Sequence, residues 1–291
     1  MLRFLVFGAS GLAGHLVTLY LTEQGYDVTG FDRRPTQRHH SITGDVTDQE
    51  SVRQIIADGH YDTVINCIGI LNQFAERDHA MAVYLNSYFP HFLASVTEGS
   101  TTQVIHMSTD CVFSGERGGY TEHDLRDGTS FYDRSKALGE IEDDKNVTFR
   151  NSIVGPDINP DGIGLFNWFM QQKGPVRGYA KAMWTGLTTL ELAKAMESAA
   201  LQRAHGLFNM VYSQSISKYH LLQLFNRYLR HDTIEITPSD DVALDKSLVR
   251  TNFDFDYTVP DYETMVAQMA TWIGNHKDLY PHYPLTGHAV C

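Results

Sequence analysis

The segment "FLVFGASGLAG", residues 4–14, joins an apolar run to three glycines at positions 8, 11 and 14. The apolar run predicts a buried strand, and the residues after it follow a helical pattern. Gly8 would allow a tight turn, Gly11 would let a pyrophosphate approach the backbone, and Gly14 would let the helix pack closely on the strand. The turn is therefore predicted to bind a dinucleotide cofactor through Gly8, Ser10, Gly11, Leu12 and Ala13.

Strand-like and helical stretches alternate along the first half of the chain. Strands are predicted at Leu2–Phe7, Asp27–Phe31, Thr63–Cys67, Gln103–Ser108 and Val147–Ile153. Helices are predicted at Leu12–Gln24, Gln49–Ala57, Glu76–Val96 with a kink or break at Pro90, and around Tyr132. This βαβα order predicts the α/β class, with a Rossmann-type doubly wound parallel sheet.

The sequence changes character after Gly155. A turn-rich stretch, "GPDINPDGIG", is followed by a helical stretch, "GLTTLELAKAMESAAL", for which either Thr188 or Thr189 is a suitable N-cap. We therefore expect residues 1–155 to form an NAD(P)-binding domain that carries the catalytic residues. Residues 156–291 are expected to form a smaller, mainly substrate-binding lobe, which could return strands to the sheet.

The composition argues against several classes of protein. The formal charge is −12, from 23 Lys and Arg against 35 Asp and Glu, and a nucleic acid would be repelled by such a surface. Cys67, Cys111 and Cys291 lack CxxC spacing, and the 14 histidines show no metal-ligand spacing, so no disulfide framework or metal site is predicted. No apolar run approaches ~20 residues and no signal peptide is evident, which indicates a cytoplasmic protein without a membrane partner.

Acidic residues lie at the end of the second predicted strand and in "GDVTD", residues 44–48, which ends a further short strand. Asp32 lies where a carboxylate would accept hydrogen bonds from the adenosine ribose of NAD, but Arg33 and Arg34 follow it and either could contact the 2′-phosphate of NADP. The cofactor is thus NAD or NADP. Asp45 and Val46 are candidates for the adenine site. Alternatively, Asp45 or Thr47 caps the following helix.

The stretch "YDRSKALGE", residues 132–140, carries a second pattern. Tyr132 and Lys136 are four residues apart, so on a helix they share a face. Reduction of a ketone by a nicotinamide requires a proton donor at the carbonyl oxygen, and a nearby ammonium lowers the pKa of a phenol toward the range that this transfer needs. Thr109, at the carboxyl end of a predicted parallel strand, would donate a hydrogen bond to the same oxygen.

These motifs together resemble the extended short-chain dehydrogenase/reductase superfamily, and within it the dTDP-4-dehydrorhamnose reductase-like branch. The resemblance covers "FGASGLAG", "NCIGIL", "HMSTDCVFSG", "YDRSKALGE" and "FRNSIVGP" in the expected order. It implies Thr109, Tyr132 and Lys136 as the catalytic residues. Further cofactor contacts are expected from Cys67, Ile68, Gly69, Asn86 and Ser108, with Asn86 supporting a proton-relay water. Substrate contacts are expected from Thr109, Asp110, Val112, Phe113 and Trp184.

By this resemblance the substrate would be a nucleotide-diphospho-4-keto-6-deoxy sugar, used in polysaccharide precursor synthesis, and the protein could be a homodimer. Ile153 stands where rhamnose-type reductases usually have tryptophan. The segment "YAKAMWTGLTTLELAKAM", which contains Trp184, looks more like reductases of UDP-4-keto-6-deoxy-N-acetylhexosamines. The identity of the hexose therefore stays open.

Two alternatives remain at this stage, a nucleotide-sugar 4-epimerase and a non-catalytic NAD(P)-binding regulatory subunit. The regulatory subunit of methionine adenosyltransferase resembles the same branch. A 4,6-dehydratase is disfavoured, because in those enzymes Asp-Glu follows the catalytic threonine, whereas Asp110-Cys111 follows Thr109 here.

Overall fold

The computed structural model describes residues 1–285. Its strands are β1 (Arg3–Phe7), β2 (Asp27–Asp32), β3 (Ser41–Thr43), β4 (Thr63–Asn66), β5 (Gln103–Met107), β6 (Val147–Arg150), β7 (Ser152–Val154), β8 (Val176–Trp184), β9 (Gly186–Thr188), β10 (Gly206–Asn209), β11 (Ile216–Ser217) and β12 (Ile236–Asp245). The α-helices are α1 (Gly14–Glu23), α2 (Gln49–Gly59), α3 (Asn72–Arg77), α4 (His79–Ala82), α5 (Phe89–Val96), α6 (Phe131–Ala137), α7 (Leu165–Met170), α8 (Thr189–Gln202), α9 (Lys218–Arg230) and α10 (Tyr262–Asn275).

A parallel sheet of seven strands forms the centre of the molecule, in the order β10-β6-β5-β4-β1-β2-β3. β4 is buried along its whole length, and β1 and β5 nearly so, because helices cover both faces of the sheet. The strand order reverses between β1 and β4, the position at which open α/β sheets bind ligands. The predicted α/β class with a Rossmann-type sheet is confirmed.

The two faces of the sheet have separate cores. On one face, apolar side chains of α1, α8, α9 and α10 pack against the strands, and the cluster includes Leu16, Met196, Phe225 and Met269. On the other face, α2 and α5 contribute Val52, Ile56, Phe89 and Leu93. Within residues 1–285, no helix is long and apolar enough to cross a membrane.

The strand predicted at Val147–Ile153 is two strands. β6 belongs to the central sheet, but the chain leaves that sheet at Asn151, and β7 pairs with β9 in a separate two-stranded sheet. The edge position beside β6 is filled by β10, which comes from the second half of the chain. β8 forms the middle of a third, three-stranded sheet with β11 and β12.

The single helix predicted at Glu76–Val96 is interrupted. α3 ends at Arg77, Asp78 caps α4, and a π-helical turn at Val83–Tyr88 leads into α5. Pro90 has no N–H to donate to the carbonyl of Asn86, which accounts for the loss of regular α-helical bonding just before it. Among the predicted caps of α8, Thr188 is the correct one, because its side chain accepts from the backbone N of Glu191.

Candidate active site

The glycine turn joins β1 to α1 and lies against the loop that follows β4. Gly8 has a φ of +78°, and a Cβ on it would lie 3.0 Å from Cγ1 of Ile68. A Cβ on Gly14 would lie 2.0 Å from the carbonyl oxygen of Gly8, so α1 approaches the turn only because residue 14 has no side chain. Two predicted cofactor segments are therefore adjacent. One is the turn itself, with Gly8, Ser10, Gly11, Leu12 and Ala13, and the other is Cys67–Gly69.

Asp32, at the end of β2, is fixed by hydrogen bonds to both carboxylate oxygens. Its Oδ1 accepts from the backbone N of Ser10 at 2.7 Å, and its Oδ2 accepts from Nε2 of His39 at 2.9 Å. Burial would raise the pKa of this carboxyl, but the hydrogen bonds from His39 and Ser10 lower it below its ordinary value. The sequence predicted Asp32 but not His39, because the contact depends on how the basic loop folds back.

Asp45 lies beyond β3. Its Oδ1 accepts from the backbone N and from Oγ1 of Thr47, at 2.9 and 2.8 Å. These two bonds lower the pKa of Asp45, burial opposes them, and the charge of Arg33 lowers the pKa further. Neither predicted cap is correct, since Asp48 accepts from the first turn of α2.

The π-helical turn holds two loops of the site in place. The Tyr84 hydroxyl donates to the carbonyl of Val46 at 2.9 Å. The Asn86 amide accepts from the backbone N of Ile70 at 2.8 Å and donates to its carbonyl at 3.0 Å and to Oγ of Ser135 at 3.0 Å. Both amide hydrogens of Asn86 are therefore used within the protein, and its predicted role beside a relay water stays a prediction.

Lys136 projects from α6 toward the loop after β4. Its Nζ donates to the carbonyl of Met107 at 2.6 Å and would lie 4.0 Å from a Cβ on Gly69. Burial lowers the pKa of this ammonium to about 8, and the charge of Glu140 opposes that decrease. The residue is thus charged at neutral pH and close to the predicted cofactor segment.

Tyr132 is one turn earlier on α6 and is 7% exposed. A capping box formed by Ser130 and Asp133 sets the start of the helix and hence the face that carries Tyr132 and Lys136. Burial raises the pKa of the Tyr132 phenol and neighbouring Cys111 adds to the increase, whereas hydrogen bonding to Thr109 opposes it. The sequence predicts that the Lys136 ammonium lowers the pKa of Tyr132. In the structure that ammonium donates to the Met107 carbonyl, and the pKa of Tyr132 is raised.

Thr109 follows β5 and completes the predicted catalytic set. Its hydroxyl donates to Oδ1 of Asp110 at 3.1 Å and accepts from the backbone N of Cys111 at 3.1 Å. Burial raises the pKa of Asp110. The 3₁₀ turn that Thr109 caps packs against α6, which carries Tyr132 and, one turn later, Lys136.

A cavity of about 610 Å³ opens beside these residues. Asp110 and Cys111 line it on one side and Trp184 on the other, so the predicted substrate residues Asp110 and Trp184 both reach it. Two lysines that the sequence did not single out, Lys218 and Lys246, also line it. Both come from the second half of the chain, and no local pattern marks them.

Val112 and Phe113 were predicted to contact substrate, and this prediction is wrong. Both side chains are fully buried in a small apolar cluster. The Phe113 ring stacks on Tyr120 with ring centroids 4.3 Å apart, and the guanidinium of Arg150 lies 5.0 Å from the Phe113 ring centre. The family resemblance suggested these contacts, but around the short 3₁₀ turn at Asp110–Val112 both side chains are directed into the protein.

Ser108 was predicted to contact the cofactor, but its hydroxyl donates to Oε1 of Glu140 at 2.6 Å. Arg150, which is fully buried, donates to both oxygens of Glu140, at 2.8 and 2.7 Å, and Arg126 also pairs with this carboxylate. Hydrogen bonds and charge from Arg150 outweigh burial and lower the pKa of Glu140. This buried ion pair links the ends of β5, α6 and β6 close to Thr109 and α6, which carry the predicted catalytic residues.

The two described cysteines, Cys67 and Cys111, are unpaired and flank the site. Burial raises the pKa of each thiol to about 12. In residues 1–285, no group of three or more His, Cys, Asp or Glu side chains is arranged to hold a metal ion.

The arrangement of a glycine turn at the sheet's switch point with Thr109, Tyr132 and Lys136 is that of a nucleotide-binding α/β protein of the short-chain dehydrogenase/reductase type. Residues 2–252 match the family described as the RmlD substrate binding domain. The chain belongs to this family, which confirms the predicted branch.

Named relatives and solved structures agree with this assignment. The chain is 37% identical over 164 residues to a probable low-salt glycan biosynthesis reductase, Agl14, of Haloferax volcanii; the match covers 55% of this chain and 51% of that protein. The chain thus spans about half the length of that relative. It is 26% identical over 255 residues to a dTDP-4-keto-6-deoxy-D-glucose reductase of Streptomyces niveus, covering 83% and 84% of the two chains.

The crystal structure of dTDP-4-dehydrorhamnose reductase from Bacillus anthracis, in complex with NADP, has the same fold. The TM-score is 0.78 at 19% identity, and the match covers 92% of this chain and 98% of that one.

Proposed function

We propose that the protein is an NAD(P)H-dependent reductase of the 4-keto group of a nucleotide-diphospho-4-keto-6-deoxy sugar, acting in polysaccharide precursor synthesis. The observation that carries this proposal is that the turn after Thr109 packs against α6, which bears Tyr132 and Lys136, and that Asp110 and Cys111 of this turn line the large cavity. The family and the reductase names of the two relatives support it.

The residues at the switch point fit a nicotinamide dinucleotide. A Cβ on Gly8 or Gly14 would fill the space between the turn, α1 and the loop after β4, as expected for a turn that a pyrophosphate approaches. Gly8–Gly14 would hold the pyrophosphate, Asp32 the adenosine ribose, Asp45 and Val46 the adenine, and Lys136 the nicotinamide ribose. When bound, the reduced cofactor supplies the hydride.

Tyr132 would protonate the sugar oxygen. Because burial raises its pKa, the phenol holds its proton at neutral pH, as a general acid must before the reaction. Thr109 would donate to the same oxygen after releasing Asp110, and the Lys136 ammonium would stabilise the phenolate that remains.

The cavity has the chemistry that a nucleotide sugar requires. Lys218 and Lys246 offer two cations to a diphosphate in a protein whose net charge is −12. Trp184 and Ile153 offer apolar surface to the sugar ring. The nucleotide of the proposed substrate is dTDP or UDP.

Replacing Tyr132 tests the proposal directly. Tyr132→Phe removes one hydroxyl, and we expect turnover to fall about 10³-fold, because a positioned general acid contributes of this order. The dissociation constant of the cofactor should change less than about twofold. The measurement is cofactor oxidation with 4-keto-6-deoxy sugars linked to dTDP and to UDP. Tyr228→Phe, on a half-buried tyrosine of α9 that does not line the cavity, is the control.

The same assay separates the two alternatives. A 4-epimerase would interconvert the sugars without net consumption of cofactor. A regulatory subunit would bind cofactor and leave every sugar in the panel unchanged. Full activity of Tyr132→Phe would refute the assigned acid.

We further propose a cytoplasmic homodimer. Val83, Tyr88 and Leu138 are apolar or aromatic side chains that are 45%, 42% and 69% exposed, and they lie on the π-helical turn and just after α6, which pack together. Light scattering should give twice the chain mass of 32.9 kDa, and a monomer at micromolar concentration would contradict this. The unpaired Cys67 and Cys111 suit a reducing compartment.

A further inference from the structure

His39 belongs to the basic loop 33–40, and the proposed site gives it no role. Its Nε2 donates to Oδ2 of Asp32 at 2.9 Å, and the two side chains are 10% and 5% exposed. Asp32 is the carboxylate that would contact the adenosine ribose. The imidazole therefore hydrogen-bonds one of the two carboxylate oxygens with which Asp32 could contact the 2′ group of the adenosine ribose of a cofactor.

The position of the His39 ring is built into the sheet. A Cβ on Gly30, in the middle of β2, would lie 2.4 Å from Nε2 of His39, so the ring occupies space that only glycine leaves free. The backbone N of Gly30 donates to the carbonyl of His40 at 2.8 Å, and β3 continues from Ser41 beside β2. The chain is thereby anchored to β2 directly after His39.

The surroundings of this pair are cationic. Arg33, Arg34 and Arg38 lie in the same loop and are exposed. Arg33 and Arg34 directly follow Asp32, the last residue of β2, so the loop that carries these cations begins at the proposed adenosine ribose site. A dianionic 2′-phosphate would meet these cations, with Asp32 as the opposing charge.

We propose that His39 determines which nicotinamide dinucleotide binds, by screening the charge of Asp32 at the place where an adenosine 2′-phosphate would lie. This inference rests on the dinucleotide site proposed above. An unscreened carboxylate binds the ribose 2′-hydroxyl of NADH and repels the phosphate of NADPH. With His39 in place, Asp32 tolerates the phosphate and the arginines attract it.

Equilibrium binding tests the proposal without reference to turnover. NADH and NADPH are titrated separately by their fluorescence into wild type, His39→Ala and the control His40→Ala, whose side chain is exposed in the same loop. We expect His39→Ala to raise the ratio of the dissociation constant of NADPH to that of NADH about tenfold or more, because like charges brought together cost several kcal/mol. His40→Ala should leave this ratio within about twofold.

A second set of variants identifies the cause. In an Asp32→Asn background, His39→Ala should no longer change the ratio, because no carboxylate remains to be screened. His39→Gln, which keeps a neutral donor, should restore at least part of the wild-type ratio. An unchanged ratio in a folded His39→Ala protein, or an equal change in the Asp32→Asn background, would overturn the proposal. If wild type binds neither nucleotide, the dinucleotide site itself is wrong.

Discussion

At the residue scale, Lys136 carries a buried ammonium whose nearest acceptor is the carbonyl of Met107. Burial lowers its pKa from 10.5 to about 8, so the group is charged at pH 7 and loses its proton near pH 8 rather than above pH 10. In the proposed mechanism, only the charged form, after leaving the Met107 carbonyl, would stabilise a Tyr132 phenolate. The pH range in which the enzyme works should therefore end where Lys136 deprotonates.

This gives a prediction for the pH profile. The kcat/KM for the reduced cofactor reports the free enzyme, and we expect it to fall about tenfold per pH unit above about pH 8. Lys136→Met should give a low and flat profile over the same range. A wild-type profile that stays level to pH 10 would exclude Lys136 as the group that must be charged.

At the scale of the elements, the ends of β5, α6 and β6 meet at the buried Glu140. Its two oxygens accept from Ser108 and Arg150, so the strand that carries Thr109 and the helix that carries Tyr132 are joined through one carboxylate. A buried ion pair is costly to form, but removing one partner leaves the other charge unpaired in the interior. The pair thus fixes the relative placement of the catalytic elements.

We expect Glu140→Gln to lower the free energy of unfolding by about 3–5 kcal/mol, because it leaves the fully buried Arg150 without its counter-charge. Glu263→Gln is the matched control, since the Arg227–Glu263 pair is 59% and 58% exposed and should contribute less than about 1 kcal/mol. Urea unfolding followed by circular dichroism measures both. Equal changes in the free energy of unfolding for the two substitutions would show that burial of the Arg150–Glu140 pair does not increase its effect on stability.

The elements also show what the sequence could and could not predict. The glycine turn and the Tyr132–Lys136 spacing are local patterns, so their positions followed from strand and helix periodicity alone. The position of the π-helical turn could not be predicted in this way, because the apolar repeat of the sequence continues through it. Contacts such as His39 with Asp32, Ser108 with Glu140, and Lys218 with the cavity depend on how distant segments fold together, and no short motif encodes them.

At the scale of the whole molecule, the two halves of the chain share one core. α8 packs on α1 and on the central sheet, α10 packs on α8, and β10 completes the edge of the sheet. The contact extends to the glycine turn, because the Tyr280 hydroxyl donates to Nε2 of His15, whose Nδ1 donates to the carbonyl of Gly11. Burial lowers the pKa of His15 to about 4, so this imidazole is neutral and can bridge the two groups.

A fragment of residues 1–155 should therefore not fold alone. It would expose the apolar face that α8 and α10 cover, and it would lack β10 and Tyr280. We expect the fragment to show no cooperative thermal transition and no binding of NADPH, whereas the full chain unfolds in a single transition. A folded fragment that binds cofactor would establish residues 1–155 as an independent domain.

The two unpaired thiols next to the catalytic residues have a practical consequence. With pKa values of about 12, Cys67 and Cys111 hold their protons at physiological pH, and thiolates are the species that alkylating agents and peroxides attack. Iodoacetamide or hydrogen peroxide should thus find little reactive sulfur at either position. If the proposed reductase activity is present, we expect it to survive peroxide treatment that would inactivate an enzyme with an ionised cysteine at the same place.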